Sequence, residues 1–341
     1  MRIGVAMSGG MDSTASAFIL KKQGYDVAGL HMNLHRYSEV SWIQARKAAR
    51  EAGVPIHLVD LSTEFREIVV EPFVEAYSKG LTPSPCLICN RTIKMTLLFE
   101  LGRSFGCTKI ATGHYARVMQ QSGRAVLMKG VDAAKDQSYF LSMLTPEMLH
   151  RTLLPLGEFT KDDTRRFLSR EGLSVWESDE SQELCFVPDG KYREFLLREG
   201  VKSRPGSIVD STGQCLGKHQ GIIGYTVGQR RGLGISAQEP LYVIRIESGT
   251  DNIVVGPREQ TFVSMLRVEN FNLLWPLELI GGEEYQIKVR STSKPVGCKL
   301  EEISGNTLEL RFNEPQSGVA PGQAAVLYTG DYVVGGGWIG L

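Results

Sequence analysis

The sequence predicts an α/β protein: a parallel-sheet domain, then a small central domain, then a C-terminal β-barrel. Three observations predict it. Short apolar runs alternate with helix-length segments through the first half of the chain. A glycine turn, Ser8-Gly9-Gly10, follows the first of those runs directly. Beyond about residue 200, Gly, Pro and Thr become frequent and short β-rich runs replace the long helices. Strands that alternate with helices build parallel sheets, whereas closely spaced strands with turn signals build barrels.

The elements follow in order. Residues 2–7 read as a strand, 13–23 as a helix stopped by Gly24, and 26–32 as a second strand. A helix at 39–52 ends at Gly53, a strand covers 56–60, and a helix lies near 63–78. A helix over 91–105 and a short buried strand at 109–112 complete the series. In such sheets ligands sit at the carboxyl ends of the strands. The glycine turn, Met32 and Gly113-His114 all fall at such ends. Pro205-Gly206 opens the β-rich part, where 241–246 and 252–256 pair around a turn at 248–250. Segments 285–289, 307–312 and 324–328 then recur as barrel strands. The domains expected are 1–198, 199–258 and 259–341.

Composition bounds the rest. With 341 residues, 42% hydrophobic and 22% charged, the chain has enough apolar material for real cores. Its formal net charge is zero, so a nucleic-acid partner needs local basic patches. Neither a signal peptide nor a membrane-length apolar stretch is legible. Six cysteines in a chain this long do not read as a disulfide framework, which points to a reducing cytoplasm.

Chemistry concentrates in two places. Ser8-Gly9-Gly10-Met11-Asp12-Ser13 runs from a strand into a helix, where free backbone N–H groups can hold phosphate oxygens. It lacks the lysine of kinase-type phosphate loops. Ser8 and Ser13 supply hydroxyls, and Asp12 is placed to hold Mg2+. The loop resembles the pyrophosphate-binding loop of N-type ATP pyrophosphatases, which split ATP to AMP and pyrophosphate. The second place is Cys86-Leu87-Ile88-Cys89, after Pro83 and Pro85, with a helix starting just beyond. A helix N-terminus favours a thiolate. A redox pair, half of a metal site and a nucleophile with a neighbour all remain open for it. Cys185 stands far along the chain, in Ser181-Gln182-Glu183-Leu184-Cys185-Phe186. Cys107, Cys215 and Cys298 read as structural, His57 as packing, and His31 and His35 as flanking a nucleotide edge.

Together these motifs resemble the MnmA family of tRNA-specific 2-thiouridylases, nearly end to end. The landmarks are the loop at 8–13, Cys89-Asn90-Arg91-Thr92-Ile93-Lys94, Thr112-Gly113-His114-Tyr115-Ala116-Arg117 and Lys135-Asp136-Gln137-Ser138-Tyr139-Phe140-Leu141. The segments at 181–186, 219–221, 226–234 and 321–326 continue the pattern. The resemblance implies ATP on Ala6, Met7, Ser8, Gly9, Gly10, Met11, Asp12 and Ser13, with Met32 and Gly113 beside the adenosine. It implies that the C2 oxygen of a wobble uridine in the tRNA anticodon stem-loop is adenylated. Cys185 would carry sulfur as a persulfide from a sulfur-relay protein. Cys89 would release it, leaving a Cys89–Cys185 disulfide, while Asp12 and Mg2+ hold the leaving phosphates.

His114, Lys135, Asp136, Gln137, Arg290, Ser291 and Gln323 match the family's tRNA-contacting positions, although the family has an aromatic residue where Ser291 stands. Arg230 and Arg231, between glycines, suit phosphate contact. Cys86 stands where many members lack a cysteine. With Cys89 and Cys185 it raises a rival route, a [4Fe–4S] cluster with one iron free for sulfide. A small-molecule synthetase of the same superfamily, or an RNA-binding module with a degenerate loop, are the other classes. A cytoplasmic monomer is expected.

Overall fold

A computed structural model describes residues 1–34, 38–121, 123–174, 184–275 and 284–340. The first domain is built on the strands β1 (Arg2–Ala6), β2 (Asp26–Asn33), β3 (Ile56–Asp60), β4 (Lys109–Ala111) and, later in the chain, β7 (Thr152–Leu153). They form one parallel sheet in the order β3-β2-β1-β4-β7. Ile3, Val5, Ala28 and Leu30 are fully buried, as expected of strands covered on both faces. Helices α1 (Met11–Lys22) and α2 (Ser38–Ala52) cover part of this sheet. Helix α1 starts two residues earlier than its apolar pattern suggests, because Gly10 serves as the N-cap.

The helical pattern near 63–78 is not one regular helix. It runs as α3 (Ser62–Phe65), a π-helical turn (Arg66–Val70) and α4 (Glu71–Ser78). The next helix behaves likewise: α5 (Pro85–Ile88), a π-helical stretch (Cys89–Leu97) and α6 (Leu98–Arg103). A hairpin of β5 (Ala116–Gln121) and β6 (Arg124–Lys129) follows. Then come α7 (Ser138–Leu141), α8 (Pro146–His150), α9 (Lys161–Arg170) and α10 (Tyr192–Arg198).

A four-stranded sheet makes the central part, from β8 (Gly206–Val209), β9 (Cys215–His219), β10 (Tyr242–Glu247) and β11 (Asn252–Gly256), in the order β10-β11-β8-β9. The antiparallel pair β10/β11 is the hairpin read from the sequence. The C-terminal strands are β12 (Phe262–Leu273), β13 (Tyr285–Lys288), β14 (Val296–Ser304), β15 (Thr307–Ser317), β16 (Ala324–Thr329) and β17 (Tyr332–Ile339). They pair around a circle that β12 and β17 close, so the barrel has no open edge in that ring. Leu266, Ile287, Cys298, Leu310, Leu327 and Val334 fill it.

The domains are stitched together rather than strung out. Tyr332 of β17 pairs with Met128 of β6, which adds the β5/β6 hairpin of the first domain to the barrel sheet. Tyr139 Oη donates to the Ala324 carbonyl at 2.8 Å, and Thr82 N to the Pro321 carbonyl at 3.0 Å. Side chains on this seam therefore hold fixed positions relative to the sheet.

Candidate active site

The loop between β1 and α1 is tied by its own hydroxyls. Ser8 N donates to Ser13 Oγ at 3.2 Å, Gly10 N to Ser8 Oγ at 3.3 Å, and Ser13 Oγ to the Gly10 carbonyl at 3.1 Å. Gly9 adopts φ +90°, and a Cβ there would come within 2.6 Å of the Ala45 backbone nitrogen in α2. Only glycine lets the loop turn back against that helix. Met7 is not at the cavity. Its side chain is buried in the core beside β1, while its carbonyl accepts from His31 Nδ1 at 2.8 Å.

A cavity of about 360 Å³ opens over this loop. Ala6, Ser8, Gly10, Met11, Asp12, Ser13, Met32 and Gly113 line it. Of the expected nucleotide residues, Met7 and Gly9 thus support the loop from behind. His114, Lys135 and Gln137 line the same cavity. Asp136 does not; its carboxylate caps a turn, accepting from Gly130 N, Ser138 N and Ser138 Oγ at 2.9–3.1 Å. His114 Nδ1 pairs with Thr112 Oγ1 at 2.7 Å. Burial, and then the nearby Lys94 charge, hold its imidazole well below the usual histidine range.

The thiols come from two segments. Cys86 sits in the first turn of α5, and Cys89 begins the π-helical stretch. Backbone N–H groups there reach the carbonyl five residues back, as Leu98 N does to Ile93. That spacing brings residues five apart toward a common face, and such stretches recur at functional sites. Cys89 and Lys94 are five apart, and Lys94 lines the nucleotide cavity. One helix thus carries both a thiol and a cavity cation.

Cys185 arrives from the other side of the chain. Its neighbour Phe186 is buried among Phe65, Phe73 and Phe195, with ring centroids 5.7, 5.1 and 5.4 Å away. Each such aromatic pair adds about 0.5–1.5 kcal/mol beyond its area, enough to anchor a short segment. Cys185 itself keeps an exposed surface. Cys86, Cys89 and Cys185 lie near enough for their charges to act on one another and for Lys94 to act on all three. Ser181, Gln182, Glu183 and His35 lie outside the described residues.

Burial opposes the expected dipole activation of the thiols. Burial pushes the Cys89 thiol up to about 12, against an opposing pull from Lys94. Cys86 and Cys185 are pushed up too, by their surroundings first and with the same opposition from Lys94. The dipole effect fades within a helix turn, and Cys89 lies beyond the first turn of a continuous helix.

Two metal expectations meet the same test. Asp12 has both carboxylate oxygens within 2.8 Å of Lys161 Nζ, and Oδ1 also accepts from Tyr115 Oη at 2.9 Å. Arranged so, Asp12 is engaged by a lysine ammonium and a tyrosine hydroxyl. Among the described residues no group of three or more His, Cys, Asp or Glu side chains is placed to hold a metal ion.

Gln323 stands on the barrel side of the seam, accepting from Ser84 Oγ at 3.0 Å. Arg290 and Ser291 lie just past β13, where the Arg290 carbonyl accepts from Ser293 N at 3.2 Å. Arg230 and Arg231 are exposed on a turn closed by Gln229, whose Nε2 donates to the Arg231 carbonyl at 2.9 Å. Among the described residues no helix is long and apolar enough to cross a membrane. Lys161, which also lines the cavity, was missed by sequence reasoning.

The tRNA methyl transferase HUP domain family matches residues 1–189, its PRC-barrel domain 193–257, and the aminomethyltransferase β-barrel domain 263–339. A tRNA-specific 2-thiouridylase of Syntrophotalea carbinolica is 44% identical, covering 98% of this chain and 97% of its own. One from Geobacter metallireducens is 42% identical over 99% and 96%, and one from Rickettsia felis 40% over 98% and 95%.

Proposed function

The chain belongs to the family of tRNA-specific 2-thiouridylases, and on that footing we propose how its residues carry out ATP-dependent 2-thiolation of tRNA uridine. One observation carries the reading: Lys94 lines the nucleotide cavity from the same helix that holds Cys86 and Cys89. One helix thus links the cavity over the glycine loop to the segment that carries two of the thiols.

ATP occupies the cavity over residues 8–13. The uracil C2 oxygen attacks the α-phosphorus, and pyrophosphate leaves with the electron pair of the broken P–O bond. The terminal sulfur of a persulfide on Cys185 attacks C2, and AMP departs. The Cys89 thiolate then attacks the Cys185 sulfur. The S–S bond to the transferred atom breaks, C2 keeps the sulfur, and a Cys89–Cys185 disulfide remains for an external thiol to reduce. Exposure of Cys185 suits delivery by a sulfur-donor protein. The target base leaves its stack to reach the pocket, at a cost of about a few kcal/mol. His114, Lys135, Gln137, Arg290, Ser291 and Gln323 contact the anticodon stem-loop in this reading, with Asp136 shaping the turn that presents Lys135. Every residue named comes from one chain, so a monomer suffices. No step is assigned to Mg2+ or to an iron–sulfur cluster.

The test is incubation with unmodified tRNA, ATP and a persulfide donor, with thiouridine read by retardation in a mercury-containing gel. Retardation is expected with wild type and with Cys86→Ser, and is lost with Cys89→Ser and Cys185→Ser. Absence of any shift in wild type, with ATP and tRNA binding verified, overturns the assignment.

A further inference from the structure

Residues 8–13 carry no cation, yet three lysines line their cavity: Lys94, Lys135 and Lys161. Lys161 is the one built in most tightly. It is 8% exposed, although it opens a helix on which Asp162, Arg165, Arg166 and Arg170 are exposed. A lysine in such a place ordinarily sends its ammonium to water. Here the ammonium donates at 2.8 Å to each oxygen of Asp12, 149 residues upstream. Tyr115 Oη braces the pair, donating at 2.9 Å to Asp12 Oδ1 and lying 2.9 Å from Thr164 Oγ1 of the same helix.

The backbone of Lys161 is fixed as well. Its N–H donates to Asp132 Oδ2 at 2.9 Å. Thr160 and Asp163 form a capping box around it, with Asp163 N donating to Thr160 Oγ1 at 3.1 Å and Thr160 N to Asp163 Oδ2 at 3.0 Å. Removing an ammonium from water is costly unless a carboxylate is matched to it. Two helices, α1 and α9, are locked together to meet that cost at the wall of the nucleotide cavity.

We propose that Lys161 is the phosphate-binding lysine of this site, and that Asp12 acts by holding it there rather than by holding a metal. The inference rests on the ATP reading above. The ammonium faces the pyrophosphate end of ATP and meets the charge that grows on that group as the bond to the α-phosphorus breaks. It is a positioning and charge-matching residue supplied from α9, where kinase-type loops supply theirs from the loop itself. Asp12 keeps the long side chain from swinging out to water.

Calorimetric titration with inorganic pyrophosphate and, separately, with AMP in one buffer tests this. Lys161→Gln should raise the pyrophosphate Kd at least tenfold while AMP stays within about threefold of wild type. Lys161→Arg, which keeps the charge, should recover most of the loss. Unchanged pyrophosphate binding by Lys161→Gln overturns the proposal, and so does an equal loss of both ligands, which marks a merely structural lysine. A second readout uses the wild-type chain: pyrophosphate, but not AMP, should slow reductive methylation of Lys161 at least threefold, read by peptide mass spectrometry. Equal labelling with and without pyrophosphate also overturns it. If wild type binds neither ATP nor pyrophosphate, the ATP reading itself falls, a result distinct from a failure confined to Lys161.

Discussion

Ser84 Oγ donates a 3.0 Å hydrogen bond to Gln323 Oε1, joining the residue two places before Cys86 to a barrel side chain expected to meet tRNA. Ser84 Oγ also lies 3.5 Å from the Ala324 N–H, so one hydroxyl spans the start of the thiol helix and the barrel loop. A tRNA that displaced Gln323 would tug on the turn that sets Cys86 and Cys89.

Ser84→Ala removes that link without opening a cavity. A hydrogen bond of this kind contributes about 1 kcal/mol, so the urea midpoint should fall only slightly. Single-turnover sulfur transfer should slow several-fold while ATP and tRNA affinities hold. If the rate is unchanged and only stability moves, the bond merely fastens two domains.

Phe186→Ala should separate the two halves of the site in another way. Phe186 is buried against three aromatic rings and sits next to Cys185. Its truncation should cost about 3 kcal/mol and leave Cys185 without its anchor. Sulfur transfer should drop sharply, while AMP and pyrophosphate binding at the distant loop stay near wild type. A variant with full transfer activity would show that Cys185 is placed by something else.

The loop at 8–13 was legible in the sequence because its signal is local: a strand, a glycine turn and a helix start lie within a dozen residues. Gly113 and Met32 were legible for a related reason, since strand ends in a parallel sheet converge. Lys161 was not, because its meaning comes from a contact 149 residues away. A lysine after a capping threonine looks solvated until the helix is docked. The π-helical stretch at 89–97 escaped as well, since apolar spacing near 3.6 does not reveal a slip to bonds five residues apart. The β5/β6 hairpin joining the barrel depends on Tyr332 meeting Met128, a pairing that no local pattern encodes. The family resemblance named Cys89 and Cys185, but the burial that raises both thiols is visible only once the chain is packed.

Gly113→Ala tests the close approach behind the loop. A Cβ there would fall 2.8 Å from the Asp12 carbonyl carbon and 2.9 Å from Ser13 N. These are backbone atoms at the start of α1, so relief must come from shifting the loop. ATP affinity should fall at least tenfold, about 1.4 kcal/mol, with tRNA affinity retained. An unaltered nucleotide titration would mean that the loop yields freely and that its geometry is not set by Gly113.

The pH response of Cys89 follows from its burial. Its thiol is pushed up to about 12, so the folded value lies above that of an unfolded cysteine, near 8.5. The sign is then set. The protonated thiol contributes stability that is fully present below about 8.5 and is lost as pH rises from there toward 12. Alkylation of Cys89 in the folded chain should accelerate about tenfold per pH unit between 7 and 10, with no plateau near 8.5. The denatured chain should level off there. Lys94 opposes the shift, so Lys94→Gln should slow alkylation further at any fixed pH in that window. A folded-state plateau near 8.5, read by mass spectrometry of the Cys89 peptide, would show a thiol already open to water. In that case no rearrangement on tRNA binding is needed to ionise it.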